Sequence, residues 1–234
     1  MGPSDPRAWL ARPRLRVYPA KPTVGIRASK PNEYWHLDVS VIRLLDGTRV
    51  YIHAVIDNFS RTILAWKVAP RLEPAGTSDI LIEAGKNLPA DQSANVVTDS
   101  GVENVNGVVD ALLPTLRLRR ILAQVEVTYS NSLVEAFWHS AKYSCLYLHP
   151  LDAIATVQRL MAFYVEQHNS IMPHSAFRGQ TPDEMYFGTG ASVPATLAAA
   201  RQEARQLRLS SNRQLQCGSC GPAPDALPAS SPDP

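Results

Sequence analysis

Cysteine is scarce in this chain, with three in 234 residues: Cys145 inside an expected helix, and Cys217 and Cys220 near the carboxyl end. An odd and sparse set excludes a disulfide framework. Long apolar runs are missing too. None approaches the roughly 18 residues that span a bilayer, so a membrane protein is not expected and no membrane is expected as partner. The first ten residues carry Pro3, Asp5 and Pro6 and no apolar stretch, which argues against a secretory leader and sets the expected location in the cytoplasm. Cys217 and Cys220 form one C-x-x-C, half of a zinc site; no second pair exists, so zinc held within one chain is not expected, while a site shared between chains stays open.

Strong net charge is also absent, at a formal +2, but the sum hides an asymmetry. Residues 1–30 hold seven basic side chains, Arg14 and Arg16 among them, against Asp5 alone; the rest of the chain holds sixteen basic and twenty acidic groups. A basic arm on an acidic body suits either an anionic partner or a solvated linker. Five prolines within that stretch favour extended backbone. The last residues, 210–234, are rich in Ser, Gly and Pro and have little to bury, which predicts a disordered tail. Between lies one compact region, residues 31–188, followed by a carboxyl-terminal helical stretch over 189–209.

Apolar and polar residues alternate over 34–42, the period of a strand, with Trp35, Leu37, Val39 and Val41 on one face and His36, Asp38 and Ser40 on the other. Asp46 and Gly47 make a hairpin turn. Two further β-rich runs, 49–56 and 62–68, flank a turn at 57–60, so an antiparallel three-strand meander opens the fold. After it the pattern predicts a helix over 77–87, a strand over 95–98, a helix over 102–113 and a strand over 121–127. Helices then follow at 132–148, 151–168, 182–187 and 195–209. Thr181, Pro182 and Glu184 are a helix start with a capping box. The whole reads as an α/β fold, a mixed sheet with helices packed on it.

Three carboxylates stand out. Asp38 sits within a strand, where a carboxylate on a half-buried sheet needs a strong partner, a divalent metal or an arginine. Asp99 follows a buried strand at its carboxyl end, where open sheets place functional groups, although a turn or cap uses the same residue. Glu135 lies three residues after Ser132 at a helix start, which also reads as a capping box. Thirty-five residues lie between Asp99 and Glu135, and Glu135, His139 and Lys142 share one helix face at i, i+4 and i+7. On another face Val134, Trp138, Ala141 and Cys145 form the apolar stripe that docks the helix. Asp57 is read as part of a hairpin turn rather than a fourth catalytic acid.

These residues resemble a family. Residues 34–40 (YWHLDVS) with 54–61 (AVIDNFSR), 97–104 (VTDSGVEN), 131–142 (NSLVEAFWHSAK) and 163–184 (FYVEQHNSIMPHSAFRGQTPDE) resemble the retroviral integrases and insertion-sequence transposases. The resemblance implies a ribonuclease H-like core in which Asp38, Asp99 and Glu135 are catalytic and hold two Mg²⁺ or Mn²⁺ ions. The implied activity is DNA strand cleavage followed by strand transfer through transesterification, on the chromosome, by a homo-oligomer acting on double-stranded element ends and target. It further implies DNA contact by Lys142 and, more weakly, His139, and it suggests that residues 168–174 lie near the DNA.

Arg117, Arg119 and Arg120 are either a phosphate track or charges guarding a sheet edge. Arg201, Arg205 and Arg208 either grip DNA or form a solvated face. Two departures are visible. No glycine lies between Gly107 and Gly179, so the loop ahead of Glu135 is expected to be short or stiff. Thirty proline-rich residues cannot fold a helix-turn-helix, so end recognition is expected from a separate polypeptide, or the chain is a truncated copy. The rival functions are a metal-dependent nuclease that cuts without joining and a non-catalytic DNA-binding or regulatory fragment.

Overall fold

The computed structural model describes residues 26–123 and 132–214. Arg14, Arg16, the Cys217 and Cys220 pair and the loop directly before Glu135 lie outside them.

The expected meander forms: β1 (Tyr34–Arg43), β2 (Arg49–Asp57) and β3 (Ile63–Ala69) pair antiparallel in sequence order. Gly47 takes φ +86° in the first turn, a conformation that costs other residues a Cβ clash. The second turn is closed by Asp57. Its buried carboxylate accepts hydrogen bonds from the Asn32 amide at 2.8 Å and from the Ser60 amide and hydroxyl at 2.7 Å each. Burial pushes its pKa up against those bonds. Asp57 is therefore a structural turn residue.

Parallel pairing needs a crossover, and helices supply it. α1 (Pro74–Gly85) leads to β4 (Ala94–Thr98), which pairs parallel with β1; α2 (Gly107–Thr115) leads to β5 (Leu118–Leu122), parallel with β4. The sheet order is β3-β2-β1-β4-β5, with β1 at the centre. Helices α3 (Ser132–Ser144) and α4 (Ile154–Glu166) cover the other face. A short α5 (Pro182–Phe187) and a long α6 (Val193–Gln214) end the described chain.

Two cores result. Trp35, Leu37 and Val55 pack with Ile80, Leu81 and Val109 on the α1 and α2 side. Ile42, Ile52 and Ile56 pack with Val134, Trp138, Ala141 and Met161 on the α3 and α4 side. The sheet is thus covered on both faces rather than half-buried, and the polar face of β1, with His36 and Ser40, is interior. At about 25 cal/mol per Å² of apolar surface, burial of this kind is the main favourable contribution to the fold.

Several boundaries differ from the sequence expectation. α2 starts at Gly107 rather than 102, because Asn106 accepts hydrogen bonds from Val108 and Val109 amides and caps the helix, while 101–105 fold into a turn closed on the Gly101 carbonyl. β5 begins at Leu118, three residues early, and its expected extension to 127 lies outside the described residues beyond Ala123. The helix expected over 132–148 ends at Ser144 and continues as a 3₁₀ turn at Leu146–Leu148. α4 gives way to a π turn at Gln167–Ile171, and α6 runs five residues past its expected end at Leu209. The capping box at Thr181 and Glu184 forms as expected, at 3.2 and 2.8 Å.

Candidate active site

Asp38 stands on the central strand with its side chain toward α3. β4 pairs parallel with β1 as far as His36↔Val97, and Asp99 follows the last residue of β4, near enough for its charge to act on Asp38. On α3, the Trp138 indole donates a 2.9 Å hydrogen bond to Asp38 Oδ2, and Glu135 lies one turn earlier on the same helix. Of the two partners the sequence suggested for Asp38, the arginine is not used among the described residues; an indole N–H stands in its place. Trp138 both docks the helix and holds the carboxylate.

The electrostatics join the three acids. Burial first, and then the negative charges of Asp99 and Glu135, push the Asp38 pKa up to about 6 against the hydrogen bonds from the Val39 backbone and Trp138. Two acids far apart in sequence therefore bear on the third. Asp99 is exposed and is fixed by the Gly101 amide at 3.1 Å and by Asn104 Nδ2 at 2.6 Å. Buried Asn104 carries no charge and gives no sequence signal of its own. Glu135 is exposed, and the capping box expected with Ser132 rests on a side chain outside the described ones. Among the described residues no three His, Cys, Asp or Glu side chains stand close enough to hold a metal as placed. The donor set itself is nevertheless one for a hard divalent cation: carboxylate oxygens whose mutual repulsion a cation relieves.

Lys142 is half-buried on the expected face; burial lowers its pKa and the Asp38 carboxylate pulls it back up, which places its ammonium within reach of the acidic cluster's field. His139 is exposed and packs on Tyr143 at 4.7 Å between ring centroids, and Tyr143 meets Tyr147 at 5.4 Å. This exposed aromatic row continues the Glu135 and His139 face, and its spacing of four residues is the signal that could have revealed it in the sequence.

The three arginines at the start of β5, Arg117 just before the strand and Arg119 and Arg120 within it, divide. Arg117 donates to the Gln92, Leu88 and Pro89 carbonyls, and Arg120 pairs with Asp110 and donates to the Asn104 carbonyl at 2.8 Å. Both brace the fold. Arg119 is exposed on β5, the last strand of the described sheet. Arg201, Arg205 and Arg208 are all exposed on α6. In the 168–174 segment, Asn169 exchanges two hydrogen bonds with the Ile63 backbone and His168 reaches the Arg61 carbonyl, so this connection is stitched to the start of β3.

Two family models described as integrase core domain match the chain, one over residues 28–133 and one over 117–182. The transposase InsF for insertion sequence IS3A of Escherichia coli (strain K12) is 28% identical over 158 residues, 67% of this chain and 54% of that protein. The putative transposase InsK for insertion sequence element IS150 of the same strain is 24% identical over 158 residues, 68% of this chain and 56% of that protein. The chain thus spans about half the length of these relatives. Among solved structures, the HTLV-2 integrase catalytic core domain in complex with magnesium aligns with TM-score 0.55 at 16% identity, covering 68% of this chain and 99% of that one. A simian T-cell lymphotropic virus intasome chain gives the same score at 15% identity, covering 90% and 63%. These likenesses establish the fold.

Proposed function

Because this chain belongs to the superfamily of retroviral integrases and insertion-sequence transposases, we propose that it is the catalytic core of a DNA transposase, cutting and rejoining DNA strands with divalent metal. The observation that carries the reading is the convergence of charge on Asp38: the carboxylates of Asp99 and Glu135 both raise its pKa. In the proposal Asp38, Asp99 and Glu135 hold two Mg²⁺ or Mn²⁺ ions as ionised oxygen ligands. Such ions, when bound, lower the pKa of an attacking hydroxyl and neutralise the charge developing on phosphate and leaving oxygen.

The chain's own residues do the rest. Trp138 keeps Asp38 oriented, and Asn104 keeps Asp99 oriented, so ligands stay placed when the site is empty of DNA. Lys142 contacts a phosphate beside the scissile bond, and His139 with Tyr143 offers a surface for the strand. In cleavage, water attacks phosphorus and the bond to the 3′ oxygen breaks, leaving a 3′ hydroxyl. In joining, that hydroxyl attacks a target phosphodiester, one P–O bond forming as another breaks, with no external energy source. The partners proposed are double-stranded ends and target, further copies of the chain, and a helix-turn-helix segment or polypeptide that reads the ends.

The test is Glu135→Gln in a nicking assay on supercoiled plasmid with Mg²⁺, alongside joining of a labelled 3′-hydroxyl oligonucleotide. The variant keeps the shape and loses the charge. Wild type is expected to nick and join, and Glu135→Gln to do neither. Nicking at the wild-type rate by the variant would refute the site, and nicking without joining by wild type would favour a nuclease.

A further inference from the structure

α3 has a second flank. Leu133, Ala136, Phe137 and Ser140, which alternate with the residues of the acidic site, line a cavity of about 740 Å³ between this helix, the β2–β3 turn and the 168–174 segment. Its described wall holds two arginines, Arg27 and Arg61, and three histidines, His36, His168 and His174, and no carboxylate. Arg61 is half-buried. Its guanidinium feels Arg27 as a like charge, and no described acid lies within ion-pair distance of it. The nearest acid in sequence, Asp57, spends its oxygens on the turn.

The hydrogen bonding at Arg61 is incomplete. Its Nη1 lies 3.2 Å from His174 Nε2, while His174 Nδ1 stands 3.3 Å from the Ala176 amide. A guanidinium and an amide only donate, and a neutral imidazole has one acceptor nitrogen. Both contacts therefore cannot be satisfied together. If Nδ1 accepts from Ala176, an N–H of His174 faces an N–H of Arg61 at the cavity wall, and an acceptor in the cavity that bridges both N–H groups resolves the conflict. Arg61 also holds φ +65°, a left-handed conformation that a glycine or asparagine would adopt at lower cost, and its guanidinium is steadied over the Phe177 ring at 5.4 Å.

We propose that this cavity is a phosphate-binding pocket, in which Arg61 with His174 and Arg27 grips the phosphate of a nucleotide whose sugar or base rests on the apolar wall of Phe137 and Met172. The nucleotide belongs to a DNA strand or is free, and the DNA source rests on the function proposed above. One helix then carries an acidic metal site on one flank and a cationic phosphate site on the other.

The experiment has two arms on the full chain. Anisotropy of a labelled 20-base-pair duplex between about 50 and 250 mM KCl gives the salt slope, whose magnitude drops by about 0.9 for each phosphate that the protein ceases to neutralise. Thermal unfolding with dAMP at constant ionic strength gives the free-nucleotide arm. If the phosphate is DNA's, Arg61→Gln is expected to flatten the slope by about that amount, one phosphate's share, and Arg61→Lys to restore it. If it is free, dAMP raises the wild-type midpoint, Arg61→Gln abolishes the rise, and the DNA slope stays unchanged. Should Arg61→Gln fail to fold, exposed Arg27→Gln carries the same test. An unchanged slope together with no dAMP effect overturns the pocket. A wild type that binds no duplex refutes the DNA reading, while the dAMP arm still decides the pocket.

Discussion

His53 sets up a measurable acid sensitivity. It lies on β2, fully buried, and neither ring nitrogen has a hydrogen-bond partner. α1 presses on it so closely that a Cβ built on Gly76 would come within 2.8 Å of its Nε2. Burial first, and then the Lys67 ammonium, lower its pKa from 6.5 to about 4, with Asp79, paired with that lysine, opposing. The unfolded chain therefore binds a proton on this ring between pH 6.5 and 4 and the folded chain does not, so stability falls as pH falls through that window. The loss from His53 alone is about 2 kcal/mol by pH 5 and about 3 kcal/mol by pH 4.

The assay is urea unfolding of wild type and His53→Leu at pH 7 and pH 5. Leucine removes the titration and the two unpartnered nitrogens, so the variant should be as stable as wild type or more so at pH 7. At pH 5 its advantage should grow by about 2 kcal/mol. Contributions from His168 and His174 are common to both proteins and cancel in the difference. An equal stability difference at the two pH values would refute the reasoning.

Two further outcomes follow from the acidic site. Millimolar Mn²⁺ should raise the unfolding midpoint of wild type, by about 2.7 kcal/mol at a hundred times Kd and so about 5–10 °C for a domain of this size, and Asp99→Asn should lose the rise. A rise retained in the variant would place the metal elsewhere. Trp138→Phe should destabilise at pH 7 by about 1.5–3 kcal/mol for the missing bond to a carboxylate, plus a smaller packing loss. In an Asp38→Asn background the tryptophan should matter less; equal costs in both backgrounds would mean the bond carries no energy.

Local patterns wrote much of the fold plainly. The alternation over 34–42, the Asp46 and Gly47 turn and the capping box at Thr181 each depend on a few neighbouring residues, and each forms where expected. The α2 start differs because Asn106 competes as a cap with the acidic turn before it, a contest that periodicity does not register. Asp38, Asp99 and Glu135 are legible by type and spacing, yet what holds them is not. Trp138 reads as an ordinary core aromatic, and its bond to a residue a hundred positions away is visible only in three dimensions. The same holds for Arg61 and His174, 113 residues apart. Arg117 and Arg120 show the converse: a basic run reads as a phosphate track or an edge guard, and backbone carbonyls and Asp110 occupy the guanidinium donors.

The central position of β1 also has a kinetic side. Its pairing with β2 closes a hairpin across a tight turn, whereas its pairing with β4 joins residues some sixty positions apart. Closing the longer loop costs more entropy, so sequence separation predicts a meander that assembles early and a β4 that docks late. Asp38 belongs to the first event and Asp99 to the second. The Asp38 and Asp99 pair therefore exists only once the long loop has closed, and a chain that has formed the meander alone carries one of its two carboxylates.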